Sequence, residues 1–463
     1  MPLASSNRAN IRYAVETVFG TFPTVALPET LRVTGESLAF AIGKTSSNEI
    51  RGDRQTLDLV SVSASSGGGV NFELSYKEYD DFIEAALQGS WLGCNDIAVA
   101  STTITLTNTI TAGTGTPFAN IAVGQTVKFS GFATAVNNRP FTVLTASATV
   151  ITVSGTPFTN EAAVATTFTS YGKVTGSMTT TLGTTLTAAT GTPFANVVVG
   201  QWVNVLGANT TLGLNKVAQV VTKTSSTALV FAAATFTNAT DAACVFSGSR
   251  VTNGTTLRTF SIEKEFGDVA QFIAYRGMAA DKLNLSFSSG TIVTGSLDFK
   301  GKDSVRAGAT QLVGTPTVSA VYDLMNAVSG VGNILENGAA LANTFIKTAS
   351  MALNNKLRDQ TGIGTLGNVG LGVGSLEMKG SIEVYLADGT LYDKFVANTA
   401  SSLSLRSLDA AGNGYVFTWP KIKYSDAKVN AGGKDTDAMI SMPWEAVLDP
   451  TTGVTVIVDR IGV

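Results

Sequence analysis

Residues 48–91 read NEIRGDRQTLDLVSVSASSGGGVNFELSYKEYDDFIEAALQGSW, and this stretch decides which fold the sequence predicts. From residue 70 to residue 77, apolar and polar side chains alternate, which is the period of a half-buried β-strand. Directly after it, five apolar residues recur at the spacing of one helix face: Tyr79, Phe82, Ile83, Ala86 and Leu87. The stretch therefore predicts a sheet with one polar and one apolar face, and a short helix packed on the apolar face.

The composition favours β structure and excludes several kinds of catalytic site. Only 14% of the 463 residues are charged, and Thr, Ser, Gly and Val are abundant. The length suits about two to four domains. Because the sequence has no histidine, a Ser-His-Asp triad, a Cys-His pair and an imidazole-bound metal are all excluded. We expect no cofactor and no enzymatic activity.

The two cysteines and the N-terminal segment indicate the compartment. Cys94 and Cys244 lie 150 residues apart without a CxxC spacing, so free thiols are expected rather than a disulfide framework. The N-terminal segment lacks the apolar core of a signal peptide, and no apolar run reaches the length of a membrane span. These features predict a soluble protein that is made in a reducing cytosol.

At about residue 98 the composition changes, and an internal repeat follows. TAGTGTPFANIAVGQTVKFSG (111–131) matches TAATGTPFANVVVGQWVNVLG (187–207) at 14 of 21 positions. Glycine, proline and asparagine supply turns between Thr- and Val-rich strands in both copies. We therefore predict two small all-β domains inserted in a host domain. The predicted boundaries are 1–97 and 253–463 for the host domain, and 98–174 and 175–252 for the insertions.

Charge is distributed unevenly between these parts. Residues 98–252 contain six Lys/Arg and two acids, a net charge of +4. Because the whole chain carries −3, the host domain carries −7. A nucleic-acid-binding protein normally shows a clustered basic patch. The acidic balance of the host domain therefore argues against tight binding of DNA.

A second strand and helix in residues 375–399 echo the opening stretch. SLEMKGSIEVYLADGTLYDKFVANT alternates apolar and polar residues, and it then places Tyr392, Phe395 and Val396 on one predicted helix face. The echo predicts that the host domain holds two similar halves, each with a sheet and a helix. A further short helix is predicted over residues 321–328.

Two segments are candidate connecting arms. Residues 43–58 form a charged loop, which is either an ordinary solvated loop or an arm that docks on a neighbouring subunit through paired charges. Five of its charged residues lie close together in the sequence: Glu49, Arg51, Asp53, Arg54 and Asp58. Residues 359–374, DQTGIGTLGNVGLGVG, contain GIGTLG and GLGVG, which look superficially like phosphate-binding loops. No GxGxxG lies in a βαβ unit and no GK[ST] ending follows, so a flexible or interlocking loop is predicted rather than a nucleotide site.

Several segments together resemble the major tail tube proteins of long-tailed bacteriophages. They are EIRGDRQTLDL, GGGVNFELSYKEYDDFIEAAL, the segment from RTFSIEKEF to SLDFKGK, and SLEMKGSIEVYLADGTLYDKFVAN. The resemblance covers the host domain and rests on pattern rather than on one invariant motif. It implies a mainly β fold: a tail-tube β-sandwich or barrel core with short α-helices, to which the two tandem small all-β domains are added.

The resemblance also implies a function and a set of partners. Such proteins form hexameric rings, and the rings stack into a hollow tube through which the genome passes into the host. The implied partners are further copies of the chain, the tail-tip and tail-terminator proteins, and the tape measure protein and DNA inside the lumen, held without specific binding. The expected location is the virion tail, assembled in the host bacterial cytoplasm. The inserted domains are candidates for contact with the host surface, without membrane insertion.

A tube that carries DNA requires a lumen wall that does not hold it. A basic wall would bind the phosphates through counterion release, whereas an acidic or near-neutral wall lets DNA slide. The polar sides of the predicted strands contain candidate lumen-facing residues, although each of them also suits an ordinary solvent-facing strand. These candidates are Glu73, Asp298, Glu377, Glu383, Lys300 and Lys379.

Three other functions fit parts of the sequence. The tandem Thr-rich domains suit a β-rich surface adhesin or a carbohydrate-binding array, but Trp202 is the only tryptophan within them. Another virion shell protein or a minor tail protein would share the same strand pattern. A glycosidase needs two paired carboxylates, and no acid of this chain sits in a suggestive motif.

Overall fold

The computed structural model describes residues 3–24, 28–134, 137–138, 140–153, 158–170, 172–207, 216–233, 235–314, 316, 321–327, 334–340 and 345–462. These residues form a mainly β protein, which confirms the predicted fold class. The chain divides into two compact bodies. The core body comprises Met1–Gly89, Asn253–Leu403 and Trp419–Val456, and the barrel body comprises Ser90–Thr252, Ser404–Thr418 and Ile457–Val463.

The first part of the chain forms a short 3-10 helix, six strands and helix α1. The 3-10 helix is Ser6–Arg8. The strands are β1 (Ala9–Val15), β2 (Glu29–Leu31), β3 (Gly35–Glu36), β4 (Ala39–Ser46), β5 (Leu59–Glu73) and β6 (Leu92–Gly93), and helix α1 is Asp80–Leu87. Strand β5 begins before the predicted strand and ends before Lys77, whose φ of 64° takes it out of the extended conformation.

Helix α1 confirms the helix predicted from the opening stretch, and its five predicted apolar residues are all buried. Asp80 and Asp81 lie in its first turn, where carboxylates suit the positive end of the helix dipole. The helix covers the apolar side of the core sheet, with the Phe82 ring centroid 5.6 Å from that of Phe299. Burying one such aromatic side chain contributes roughly 1.5–3 kcal/mol.

The two inserted segments form two closed six-stranded barrels in the barrel body. The first barrel contains β7 (Ile97–Thr105), β8 (Thr109–Ala112), β9 (Thr126–Ser130), β10 (Pro140–Ala146), β11 (Val150–Val153) and β12 (Glu161–Thr169). The second contains β13 (Lys173–Thr181), β14 (Thr185–Ala188), β15 (Trp202–Leu206), β16 (Lys216–Lys223), β17 (Ala228–Phe231) and β18 (Ala239–Ser247).

The two barrels share one strand order, because β13 to β18 pair in the same sequence as β7 to β12. Each barrel encloses its own aromatic core. Phe118 and Phe168 have ring centroids 5.2 Å apart in the first barrel, and Phe194 and Phe246 have centroids 4.7 Å apart in the second. The internal repeat read from the sequence therefore corresponds to two copies of one barrel fold.

The last part of the chain forms sixteen strands and helix α2 (Thr390–Val396) within the described residues. The strands are β19 (Ser249–Thr252), β20 (Phe260–Phe266), β21 (Gln271–Ser288), β22 (Thr294–Gly301), β23 (Asp303–Ala307), β24 (Leu335–Glu336), β25 (Ala339–Ala340), β26 (Ile346–Asn354), β27 (Arg358–Gln360), β28 (Gly370–Gly372), β29 (Glu377–Tyr385), β30 (Ser401–Leu408), β31 (Gly414–Tyr424), β32 (Lys428–Ala431), β33 (Ala438–Ala446) and β34 (Ile457–Ile461).

One continuous antiparallel sheet runs through the core body. Its central strands pair in the order β5, β22, β21, β26, β29 and β33. At one end, β3 and β4 both pair with β5, and at the other end, β31 and β32 both pair with β33. One face of this core sheet is buried and apolar, with Phe72, Leu285, Met351, Ile382 and Trp444 at most 3% exposed. The strands alternate as predicted, so the other face is polar.

Two details of the sequence prediction are wrong. The described residues 321–327 form no helix, and instead Leu324 and Asn326 form isolated bridges with Ser75 and Ile292, while residue 328 lies outside the described residues. Helix α2 exists, but Leu391 is its buried residue and the predicted face is partly exposed: Tyr392 at 43% and Val396 at 66%. A seven-residue helix is too short for apolar spacing to determine which face is buried.

A glycine in β5 allows a close crossing of the chain. Gly68 has a φ of +108°, and a Cβ there would lie 2.2 Å from the Ser37 carbonyl oxygen. No residue with a side chain adopts this backbone without strain, and the Ser37 backbone leaves no room for a methyl group. The glycine run in the opening stretch is therefore a steric requirement of the core sheet.

We expect Gly68→Ala to lower the free energy of unfolding of the core by roughly 3 kcal/mol, because it adds backbone strain and a steric clash. Urea titration monitored by tryptophan fluorescence measures this, since the core contains Trp419 and Trp444. Gly52→Ala is the control, because a Cβ at Gly52 meets nothing within 4 Å. Equal urea midpoints for the two variants would contradict the steric requirement.

Candidate functional site

The polar face of the core sheet consists of the side chains opposite the buried ones on β5, β22, β21, β26, β29 and β33. Neighbouring strands are linked across this face by short polar side chains. Asn284 Nδ2 donates to Ser296 Oγ at 3.0 Å, and the Ser350 and Ser381 hydroxyl oxygens lie 3.0 Å apart. These bonds link β21 with β22 and β26 with β29 on the polar face.

All six candidate lumen-facing residues lie on strands of this polar face. Glu73 lies opposite Thr294, and Asp298 lies opposite Lys282 in the neighbouring strand. Glu383 lies between Thr348 and Ser441. The remaining three are Glu377, Lys300 and Lys379. The structure therefore brings together, on one surface, residues that are up to about 300 positions apart in the sequence.

The lysines of the polar face are engaged locally. Lys379 Nζ lies 2.5 Å from Glu377 Oε1 and 3.9 Å from Glu445 Oε1. The hydrogen bond from Lys379 lowers the pKa of Glu377, and the same bond raises the pKa of Lys379. Lys300 Nζ donates to the Leu357 carbonyl oxygen at 2.7 Å. These contacts hold the positive charges beside protein acceptors.

Sequence reasoning missed two charged residues of this face, Lys282 and Glu445. Lys282 pairs with Asp298, and Glu445 pairs with Lys379. The alternation of Ile440, Met442 and Trp444 with polar neighbours was a usable signal for β33, but Pro443 in its middle is unusual for a central strand. With these two, the face carries five carboxylates and three lysines, an excess of two negative charges.

The first connecting arm is the hairpin of β4 and β5 with its tip, residues 39–66. All eight residues of β4 are exposed or half-buried, as are the first five of β5. Ile50 at the tip is fully exposed, and Leu57, Leu59, Val60 and Val62 are each more than half exposed. A run of uncovered apolar side chains of this kind is typical of a surface that contacts another protein.

The charged residues predicted for this arm are grouped at its tip. Arg51 Nη2 lies 2.9 Å from Asp53 Oδ2 in an exposed ion pair, and this pairing lowers the pKa of Asp53. Asp58 Oδ1 accepts a hydrogen bond from the Leu59 N–H at 2.6 Å. Glu49 and Arg54 lie on the same tip. Exposed pairs contribute little to stability, so these charges stay available at the tip.

The second arm, residues 354–376, contains the hairpin of β27 and β28. It corresponds to the glycine-rich loop of the sequence, and Ile363 at its tip is fully exposed. The two arms touch, because the Ala64 N–H donates to the Leu366 carbonyl oxygen at 2.7 Å. Asn368 Nδ2 anchors the base of the second arm to the Gly301 carbonyl oxygen at 2.9 Å.

Other kinds of site were sought in the part of the chain that the structure describes. Within it, no group of three or more Cys, Asp or Glu side chains could hold a metal ion. No helix there has the length and apolar character to cross a membrane. The extended polar face and the two arms are thus the features from which a function can be argued.

A family model described as phage tail tube protein matches residues 6–225 and 220–446. The chain belongs to the phage tail tube protein family. Tail tube proteins are structural proteins of the virion, and the mainly β core agrees with this membership. No curated protein matches the chain. The match includes the opening stretch and its echo, the two segments that carried the resemblance in the sequence.

Deleting residues 46–54 should leave this tail tube protein as a folded monomer that cannot polymerise, because the tip of the first arm is exposed and apolar. Sedimentation of polymer from soluble protein measures the effect, and circular dichroism checks the fold. Gly52→Ala is the matched control within the same tip and should polymerise as the wild type does. Unaltered polymerisation of the deletion variant would contradict a connecting role for the arm.

Proposed function

We propose that copies of this chain polymerise as stacked rings that form the hollow tail tube, the conduit for genome ejection into the host. The observation that supports this most is the one-sided core sheet. Its apolar face is buried, while a polar face spans six strands and carries a small excess of negative charge. A sheet of this kind suits the wall of a water-filled channel, whose inward positions alternate with buried ones.

The charge of the polar face suits the passage of DNA. Double-stranded DNA carries about one negative charge per 1.7 Å, and lysines free to contact it would release counterions and bind it. Here Lys379 is paired with Glu377, and Lys300 donates to a backbone carbonyl. We propose that Glu73, Asp298, Glu377, Glu383, Lys300 and Lys379 face the lumen, and that DNA and the tape measure protein occupy it without specific binding.

Assembly of the tube requires contacts within rings and between rings. We propose that a ring carries six tube units, as the family resemblance implies, and that the two arms connect neighbouring rings. The charged tip with Glu49, Arg51, Asp53, Arg54 and Asp58 is the proposed contact of the first arm. The ends of the tube are proposed to meet the tail-tip and tail-terminator proteins, and assembly is proposed to occur in the cytoplasm of the host bacterium.

The two barrels are proposed to be additions to the tube rather than parts of its wall. Each barrel is closed and encloses its own aromatic core, so neither leaves a free sheet edge for the wall. We propose that residues 98–174 and 175–252 are decoration domains displayed on the virion, where they can contact the host surface. The residues 1–97 and 253–463 then supply the tube domain.

The proposed function predicts that the purified protein forms hollow tubes with regularly spaced lateral projections. Negative-stain microscopy of concentrated protein, with and without tail-tip proteins as initiator, measures this. The matched control is the variant without residues 46–54. Compact monomers under all conditions would contradict the tube, and smooth tubes would contradict display of the barrels.

The double variant Asp298→Lys/Glu383→Lys should assemble but eject DNA roughly tenfold more slowly, because it turns an excess of two negative charges per chain into two positive charges. DNA release from triggered virions, followed with an intercalating dye, measures the rate. The neutral control Asp298→Asn/Glu383→Gln should eject at close to the wild-type rate. Wild-type ejection by the lysine variant would contradict the assignment of this face to the lumen.

A further inference from the structure

We infer that the core body contains two copies of one tube-forming repeat, and that a second copy of this chain joins it through the contact that joins those repeats. The inference rests on the proposed tube and specifies how its rings close. The first repeat runs from β3 to β22 without the barrels, and the second runs from β26 to β33.

The two repeats contain the same elements in the same order. Each repeat begins with a strand that leads into an arm, and the arm returns into a long strand that is followed by a short helix. In the first repeat these elements are β3 to β5 and α1, and in the second they are β26 to β29 and α2. The long strand then pairs with a later one, β5 with β22 and β29 with β33. In the first repeat, β22 also pairs with β21, the strand that precedes it in the chain. In the second repeat, β33 also pairs with β31 and β32, which precede it.

The irregularities of the arms match as well. In the first repeat, the register shifts between Gly43 and Lys44, where the returning strand holds one extra residue. In the second repeat, the shift lies between Asn354 and Arg358, and the returning strand again holds one extra residue. A β-bulge is a specific feature of a ladder rather than a random defect. One extra residue in the returning strand near the start of both arms therefore supports a common fold, although the two shifts lie a few residues apart.

A second irregularity recurs at the other side of the sheet. The ladder of β21 and β22 shifts between Ala280 and Lys282, where β21 holds one extra residue. The ladder of β31 and β32 with β33 shifts between Tyr424 and Lys428, and the first strand again holds one extra residue. The strand pairings on both sides of these shifts give one correspondence between the repeats without reference to side chains.

This correspondence relates individual residues. Residues 33–39 correspond to 348–354, 66–74 to 376–384, 282–288 to 424–430, and 293–299 to 440–446. Corresponding positions on the apolar face are buried in both repeats, as for Phe72 and Ile382.

Corresponding positions on the polar face carry the same charge in two cases. Glu73 corresponds to Glu383, and Asp298 corresponds to Glu445. Both repeats therefore place acids at the same two places of the proposed lumen wall, so each repeat contributes one equivalent section of it.

The repeats are joined inside the chain by the pairing of β21 with β26. This junction runs antiparallel, from Lys282 opposite Asn354 to Ser288 opposite Thr348. In the order of the sheet, β21 is the strand at one edge of the first repeat, and β26 is the strand at the facing edge of the second repeat. At the two outer edges of the core sheet, the residues that would form the same junction are 424–430 and 33–39.

Within the described residues, neither outer edge pairs with a further strand, although the Leu38 N–H donates to Glu36 and the Leu38 carbonyl oxygen accepts from Lys264 and Tyr275. There, β32 pairs only with β33, and β3 pairs only with β5. All four residues of β32 are exposed, and Val429 is 45% exposed although its counterpart Phe287 is 3% exposed. The Tyr424 hydroxyl is buried and makes no hydrogen bond to any described residue. An unpaired strand edge recruits another strand.

The partner that fits these edges is a second copy of this chain. Residues 424–430 of one copy would pair antiparallel with residues 33–39 of the next, with Tyr424 opposite Ala39 and Asn430 opposite Val33. This contact is head-to-tail, and a head-to-tail contact forms a ring when its rotation closes; we propose that it closes here. Because each chain supplies two repeats, a ring of six tube units contains three chains.

Engineered disulfides test this register directly. In the proposed pairing Gly35 lies opposite Lys428 of the next copy, so Gly35→Cys/Lys428→Cys in one chain places two thiols across the junction. A Cβ at Gly35 comes no closer than 3.8 Å to another group, so the cysteine fits there. The control is Gly35→Cys/Asp426→Cys, which requires a register slipped by two residues. The native Cys94 and Cys244 are buried free thiols, and the wild-type protein controls for them.

Oxidised tubes of the first variant should give a ladder on a non-reducing denaturing gel that ends at three chains, while the control and the wild type stay monomeric. Tubes whose ladder ends at six, or that link only in the control, would overturn the inference and leave the tube function standing. Absence of tubes in the wild type would contradict the proposed function itself. If the cysteines prevent assembly, cryo-electron microscopy of wild-type tubes provides the test. Threefold symmetry of the ring supports the inference, and sixfold symmetry overturns it.

Discussion

The core of this phage tail tube family member depends on one strand, β21, and on the four ladders that it forms. Its 18 residues pair with β20 and β23 in the first part and with β22 and β26 in the second. The bulge near Ala280 lies between the two parts. A bulge increases the local twist and changes the direction of the strand. Without this strand the two halves of the core sheet would have no common neighbour.

One-sided burial follows from this arrangement and produces the candidate site. Helix α1 and the rest of the core cover the apolar face, so the hydrophobic effect determines which side of each strand is inward. The polar positions are then left together on the opposite face, where Ser and Asn side chains bond across strands and the charges pair locally. The site is thus a surface property of the whole sheet rather than a pocket.

The duplicated pairing pattern indicates how the polar face would continue from one copy of the chain to the next. The two outermost strands of the core sheet, β3 and β32, correspond to the two sides of its internal junction, so the sheet can continue into another copy of the chain. Exposed edges are a liability that proteins usually cover. In this chain the proposed assembly covers them. The exposed β32, and the Tyr424 hydroxyl that has no hydrogen-bond partner among the described residues, then have a physical role.

The sequence by itself determined the elements whose signal is local. The period of two around Phe72 and the helical spacing around Phe82 predicted β5 and α1, and the 14 matches between the inserted segments predicted two similar β folds. Only the tertiary structure decided how the strands pair. Glu73 and Glu383 share a residue type and a place in their repeats, but the aligned strands share few other side chains, since any apolar residue of suitable size fills an inward position. The two repeats of the core therefore resemble each other in backbone register and bulges. These features depend on long-range strand pairing, so the sequence shows the repetition only weakly.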